Sequence, residues 1–160
     1  MTDTPIIMRE QQYEQINAVL QKLRADSQAR VVFLVDKNGQ PIAIQGEIGG
    51  LDTTGLASLA AGNVAATGGM ARLIGEKEFP TLSHEGERES IYISVLGRTL
   101  LVVVFDERSS LGLVKLRVRQ ASQELAVIFD EIARTSGERR AEDLSAFAEI
   151  TDEDIDSLFR

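Results

Sequence analysis

The chain has 160 residues, 43% apolar and 26% charged, which is typical of one compact domain with a substantial hydrophobic core. Its formal net charge of −8 argues against binding to nucleic acid or anionic lipid, because both require a basic protein surface. The chain has no cysteine, which excludes disulfides and thiol chemistry, and its N-terminus does not resemble a secretory signal. Both observations favour a cytoplasmic location.

The N-terminal part of the chain predicts a helix followed by a β-hairpin. Residues 1–9 are expected to be flexible, and apolar residues at helical spacing between Glu10 and Ala25 predict an amphipathic helix. Two β-rich apolar runs, 31–36 and 41–45, flank Asn38-Gly39. This dipeptide favours the two-residue turn of a hairpin, since both positions tolerate a positive φ.

The stretch from Asp52 to Gly75 predicts a single helix, with Asp52 or Thr53 as its N-cap and Gly75 as its left-handed C-terminal residue. One face carries most of the large apolar side chains and is the expected core face: Leu56, Leu59, Ala60, Asn63, Thr67, Met70, Leu73 and Ile74. The opposite face is nearly bare and is the candidate partner-binding surface: Ser58, Ala61, Gly62, Ala65, Gly68, Gly69 and Arg72.

The small residues on that second face have an energetic cost that needs a reason. Each of Gly62, Gly68 and Gly69 costs ~1 kcal/mol relative to alanine inside a helix. The cost makes sense if a second copy of the helix or another protein must approach its axis closely. The alternative is a helix buried wholly inside its own domain, where small residues are also favoured.

The second half of the chain predicts three strands and a long helix. Pro80 prevents further helix, and strands are predicted over 81–86, 90–95 and 99–105. The last strand is apolar on both faces and is therefore expected at the centre of a sheet that is covered on both sides. A helix capped by Ser109 or Ser110 follows, to about Arg134. The order αββαβββα predicts an α+β fold, a five-stranded antiparallel sheet with helices on both faces.

The C-terminal residues differ from the rest of the chain in composition. Residues 136–149 predict a linker, because apolar periodicity stops and charge accumulates. Residues 150–160 predict a short amphipathic helix with Thr151 as its N-cap and an apolar stripe of Ile155, Leu158 and Phe159. So short a helix needs a partner surface. It is expected either to fold into a groove on another protein or to dock on its own domain.

No pattern of residues predicts catalysis, and no cofactor or metal is expected. His84 is the only histidine, and a lone histidine is more often structural than catalytic. The glycines from Gly62 to Gly69 are not followed by the Lys-Ser/Thr of a phosphate-binding loop and lie within a predicted helix. The chain is therefore predicted to act by binding other proteins rather than as an enzyme.

Several motifs resemble those of the roadblock/LC7 (longin-like) domain family. They are the hairpin 31–39, the helix segment 59–66, the sequence His84-Glu-Gly-Glu87 and the helix entry 111–117. The resemblance covers nearly the whole chain, with residues 10–135 as the domain. Its terminal segment, 150–159, is similar to that of family members that regulate a Ras-like, MglA-type small GTPase in cell polarity and motility.

This resemblance implies a homodimer whose two sheets join edge to edge and whose small-residue helices form a platform for one GTPase. It implies GTPase activation without a donated arginine. Arg72, the only basic residue on the candidate surface, is the residue to test as an arginine finger, which the family pattern disfavours. It also implies that Ile155, Leu158 and Phe159 anchor a C-terminal helix on the GTPase and assist nucleotide exchange, with localisation at a cell pole. A roadblock scaffold that is indifferent to nucleotide state is the alternative.

Overall fold

The computed structural model describes residues 9–148 and shows three helices around a five-stranded antiparallel sheet. The order of strands across the sheet is β2-β1-β5-β4-β3, so β2 and β3 are the edges. The elements are α1 (Glu10–Ser27), β1 (Val31–Asp36), β2 (Pro41–Gly46), α2 (Thr53–Leu73), β3 (Thr81–Glu85), β4 (Glu89–Leu96), β5 (Thr99–Asp106) and α3 (Leu111–Ala148). The predicted αββαβββα architecture is confirmed.

The central strand β5 separates two hydrophobic cores. Leu101, Val103 and Phe105 pack with the buried residues of α1 and α3, whereas Leu100, Val102 and Val104 pack against α2. The prediction that this strand is covered on both sides is confirmed. Because alternate residues of a strand point to opposite faces, a strand that is apolar throughout must have a helical layer above and below it.

The hairpin of β1 and β2 turns at Asn38-Gly39, as predicted. Gly39 has φ +90°, and the Asp36 carboxylate accepts hydrogen bonds from the backbone N–H groups of Asn38 and Gln40, both at 2.9 Å. These two bonds satisfy turn donors that the strands cannot reach. A glycine is needed here because an L side chain rarely adopts that φ.

Helix α3 corrects the predicted linker. It continues without a break through Ala148, whereas residues 136–149 were expected to lack regular structure. Among the residues whose burial is described, which end at Gly137, Ile132 is the last side chain of α3 in the core. The residues that follow Gly137 are mainly Glu, Arg, Ala and Leu, whose intrinsic helix propensity is high.

Two predicted segments fall mainly outside the described residues: the flexible N-terminus, 1–9, of which only Arg9 is described, and the C-terminal helix, 150–160. Helix α1 ends at Ser27, two residues later than predicted, and Gln28 follows it with φ 55°. Within residues 9–148, none of the helices combines the length and the apolar character that crossing a membrane requires.

Candidate partner-binding surface on α2

Helix α2 begins and ends where its sequence predicts. The Asp52 carboxylate accepts a hydrogen bond of 2.9 Å from the backbone N–H of Gly55, which makes Asp52 the N-cap. At the other end Gly75 has φ +87° and donates its N–H to the carbonyl of Arg72. The helix is therefore held at both ends, and its orientation on the sheet is defined.

The face of α2 that packs on the sheet consists of small residues. Those buried are Ala57, Ala60, Ala61, Gly68 and Ala71. They lie at i, i+3, i+4, i+11 and i+14, which is one stripe of a helix. Because small side chains project little from a helix, α2 approaches β1 and β2 through these residues, while its larger Leu56 and Val64 pack against the same core and are only partly buried.

The predicted core face of α2 is correct only in part, since Ala60 is buried and Leu56 packs against this core. Four of its large apolar residues are exposed instead, namely Leu59 by 74%, Met70 by 61%, Leu73 by 88% and Ile74 by 71%. Side-chain size misled the prediction, since the largest apolar residues of an amphipathic helix normally face the core. Here the close approach of α2 to the sheet reserves the inner face for alanine and glycine.

The predicted partner-binding residues divide into exposed and buried ones. Ser58, Gly62, Ala65 and Arg72 are exposed and Gly69 is half-buried, whereas Ala61 and Gly68 face the sheet. A Cβ added at Gly62 or Gly69 would meet nothing within 4 Å. The Arg72 guanidinium extends back along the helix, 3.9 Å from where a Cβ on Gly68 would lie. Ile155, Leu158 and Phe159 lie outside the described residues.

We call the solvent side of this helix the α2 surface. It consists of Ala66 and of the residues of the two predicted faces that are not fully buried, apart from Leu56, which packs against the core: Ser58, Leu59, Gly62, Asn63, Ala65, Ala66, Thr67, Gly69, Met70, Arg72, Leu73 and Ile74. One signal in the sequence could have revealed it. The stretch from Thr53 to Ala71 contains no charged residue, so no side of this helix is built for permanent contact with water.

The α2 surface has two flanks that face different edges of the sheet. Ser58 lies beside the hairpin tip, since a Cβ on Gly39 would come within 3.0 Å of the Ser58 Cα. Asn63 lies on the opposite side, with its amide nitrogen 2.7 Å from the Nε2 of His84 in β3. The hairpin flank accordingly contains Ser58, Ala65, Gly69 and Arg72, and the β3 flank contains Asn63, Thr67, Met70 and Ile74.

Arg72 is the one charged residue of the α2 surface. Near the start of α3, the Arg108 guanidinium and backbone N–H bond the Asp106 carboxylate and lower the pKa of Asp106. The Nη1 of Arg30 donates to both carboxylate oxygens of Glu89, at 2.8 and 3.0 Å. Between residues 9 and 148, no cluster of three or more potential metal ligands occurs. Apart from Arg72, the α2 surface thus offers shape and apolar contact rather than titratable groups.

A family model described as the Roadblock/LC7 domain matches residues 15–105, which run from within α1 to the next-to-last residue of β5 and contain α2 and the other four strands. The chain belongs to the Roadblock/LC7 family. The order of its elements and its antiparallel sheet agree with this assignment. No curated protein matches the chain.

Solved structures of other family members are also similar. Myxococcus xanthus MglB is 55% identical, with a TM-score of 0.74, covering 79% of this chain and 96% of that one. A Thermus thermophilus structure described as gliding protein MglB is 36% identical, with a TM-score of 0.75, covering 81% and 99%. A Roadblock/LC7 domain from Streptomyces avermitilis is 14% identical, with a TM-score of 0.60 and coverage of 68% and 92%, and shows the fold alone.

Proposed function

We propose that this roadblock protein is a regulator that activates a Ras-like, MglA-type small GTPase. The observation that carries the proposal is the α2 surface, a strip with four exposed large apolar residues and Arg72 as its one charge, on a chain 55% identical to M. xanthus MglB. A helix that leaves such residues in water is typical of one that another polypeptide covers. The gliding protein among its relatives supports a role in polarity or motility at a cell pole.

The active form that we propose is a homodimer. Strand β3 is an edge of the sheet and its residues are mostly exposed, so its free backbone groups are available to a second copy. Edge-to-edge pairing at β3 would bring the two β3 flanks together, because Asn63 already contacts that strand. Met70 and Ile74 would then be covered by the partner helix, and both hairpin flanks would remain open to one GTPase.

This division assigns the GTPase contact to Ser58, Gly62, Ala65, Gly69 and Arg72. Small residues let the backbone of a switch segment lie directly on the helix, and the protein then contributes by holding the catalytic groups of the GTPase in place. Arg72 extends back along its own helix rather than outwards, and we assign it no role as an arginine finger. The C-terminal segment, through Ile155, Leu158 and Phe159, would bind the GTPase elsewhere and assist nucleotide exchange.

Ala65→Arg tests the proposal by placing a large charged side chain on the hairpin flank. Burial of a poorly fitting side chain costs about 1–3 kcal/mol. We therefore expect at least about a tenfold rise in the concentration needed for half-maximal stimulation of GTP turnover by the MglA-type partner. Ala133→Arg is the matched control, since Ala133 is an exposed alanine on α3, remote in sequence from the α2 surface.

Two results would contradict this function. Equal stimulation of GTP turnover by Ala65→Arg and by the native chain would show that the hairpin flank takes no part in the mechanism. Loss of stimulation in Arg72→Ala would show that Arg72 acts as an arginine finger. Binding that is the same for the GDP and GTP forms of the partner, without any effect on turnover, would favour the alternative function. In that case the protein is a scaffold whose α2 surface serves dimerisation alone.

A further inference from the structure

The outward side of the first half of α3 carries a basic strip with exposed apolar residues. From Leu111 to Gln123 the helix has three bases and no acid, although the whole chain has a net charge of −8. Lys115 and Arg119 are exposed, and among the described residues neither forms an ion pair within 4 Å. Leu116 beside them is 48% exposed, and Val127 further along is 68% exposed.

The C-terminal segment of the same chain has the complementary composition. Residues 149–160 contain five acids and one base, and their apolar residues are Ile150, Ile155, Leu158 and Phe159. If they form the predicted helix, Ile150 and Phe159 are about 14 Å apart. Leu116 and Val127 are about 16 Å apart along α3 by the same geometry. In a parallel alignment with Ser157 opposite Gln123, Glu149 lies beside Lys115, and the acids at 152–154 lie beside Arg119.

The length of α3 prevents this contact within one chain. The helix continues from Lys115 through Ala148, which is about 50 Å at 1.5 Å per residue. Asp152 is four residues beyond Ala148 and can reach back at most about 14 Å, even when fully extended. The segment can therefore meet a basic strip only on another copy.

We propose that the C-terminal segment 149–160 of one copy binds the α3 strip, Lys115, Leu116, Arg119, Gln123 and Val127, of a second copy. The acids pair with Lys115 and Arg119, and the apolar residues of the segment cover Leu116 and Val127. Since the paired charges are exposed, the contact is weak and sensitive to salt. This self-recognition needs no GTPase, and its test is independent of the proposed activation.

The cysteine-free chain allows a direct test with full-length protein. Two single-cysteine variants, Ser157→Cys and Gln123→Cys, are mixed and oxidised at low ionic strength. A disulfide between the two variants can form only between copies, and a parallel alignment places these positions opposite each other. We expect it to form faster than the disulfide of Ser157→Cys with Ala133→Cys on the same helix, or with Ser58→Cys on α2. High salt should abolish this preference.

Charge reversal separates recognition from chance collision. Lys115→Glu/Arg119→Glu in the Gln123→Cys chain should slow formation of that disulfide by about fivefold or more, since two exposed pairs are lost. Asp152→Lys/Asp154→Lys in the Ser157→Cys chain should restore it, whereas Arg134→Glu should have no effect. Equal rates for all three cysteine positions, or no response to reversal, would overturn the proposal. Either result would be expected if the basic strip binds an anionic partner other than a second copy of this chain.

Discussion

Gly39 shows how a single residue positions the α2 surface. Its φ of +90° closes the β1–β2 hairpin, and its missing side chain lets the hairpin tip rest against the Ser58 backbone. We expect Gly39→Ala to lower the free energy of unfolding by about 2–4 kcal/mol, of which about 1–2 kcal/mol comes from the backbone conformation and the rest from the contact. Urea unfolding measures the loss.

Gly97→Ala is the matched control for this prediction. Gly97 also has a positive φ, +58°, in a hairpin turn, but a Cβ there would meet nothing within 4 Å. This variant should therefore lose only the conformational part. Equal losses in the two variants would mean that the hairpin tip does not brace α2.

Helix α2 shows what the sequence could and could not predict at the level of an element. Its bounds were predictable because Asp52 and Gly75 are local signals that act through their own backbone neighbours. The face that packs on the sheet was not predictable, because helical periodicity shows only that two faces of the helix differ in composition. Which face packs on the sheet depends on how closely the helix approaches the strands. That approach is set by tertiary contacts such as the one between Gly39 and Ser58.

The inverted faces of α2 give opposite expectations for two substitutions. Ala57→Leu adds three carbons to a fully buried position and should cost about 1–3 kcal/mol or more by overpacking. Leu59→Ala should change the stability of the monomer by less than about 0.5 kcal/mol, since this leucine is 74% exposed. Unfolding is best measured at low protein concentration, where association contributes least. A cost of 2 kcal/mol or more for Leu59→Ala, typical of a buried leucine, would contradict the orientation of the helix.

Helix α3 shows a different limit of sequence reasoning. Its packed part follows the apolar spacing that ends at Ile132, and that part was predictable. The helical conformation of the part beyond Ile132 was not predictable. Good helix formers that do not form an apolar stripe occur both in helices and in linkers, so composition alone does not distinguish the two. The extension matters for the whole molecule, since it places Ala148 about 50 Å along the helix from Lys115.

At the scale of the whole molecule, the fold was predictable because strand order follows from alternating and continuous apolar runs. Strand β5 had to be central, and the short, exposed β3 became an edge. The family likeness then supplied what one chain cannot show, namely the expectation that the free edge and the α2 surface belong to an assembly. The pattern of residues within one chain does not directly predict which partner an exposed residue contacts.

The proposed dimer makes the two flanks of α2 separable by experiment. Met70 lies on the β3 flank and is 61% exposed, so Met70→Arg would place a charge where two helices are proposed to meet. An unpaired charge buried in such an interface is strongly unfavourable. We expect Met70→Arg to sediment mainly as single chains of 17.5 kDa at concentrations where the native protein has twice that mass. Ala65→Arg, on the hairpin flank, should remain dimeric while its stimulation of GTP turnover falls. Dissociation of Ala65→Arg alone would reverse the assignment of the two flanks. Dissociation of both variants would show that both flanks form the contact between copies and would contradict the division between them.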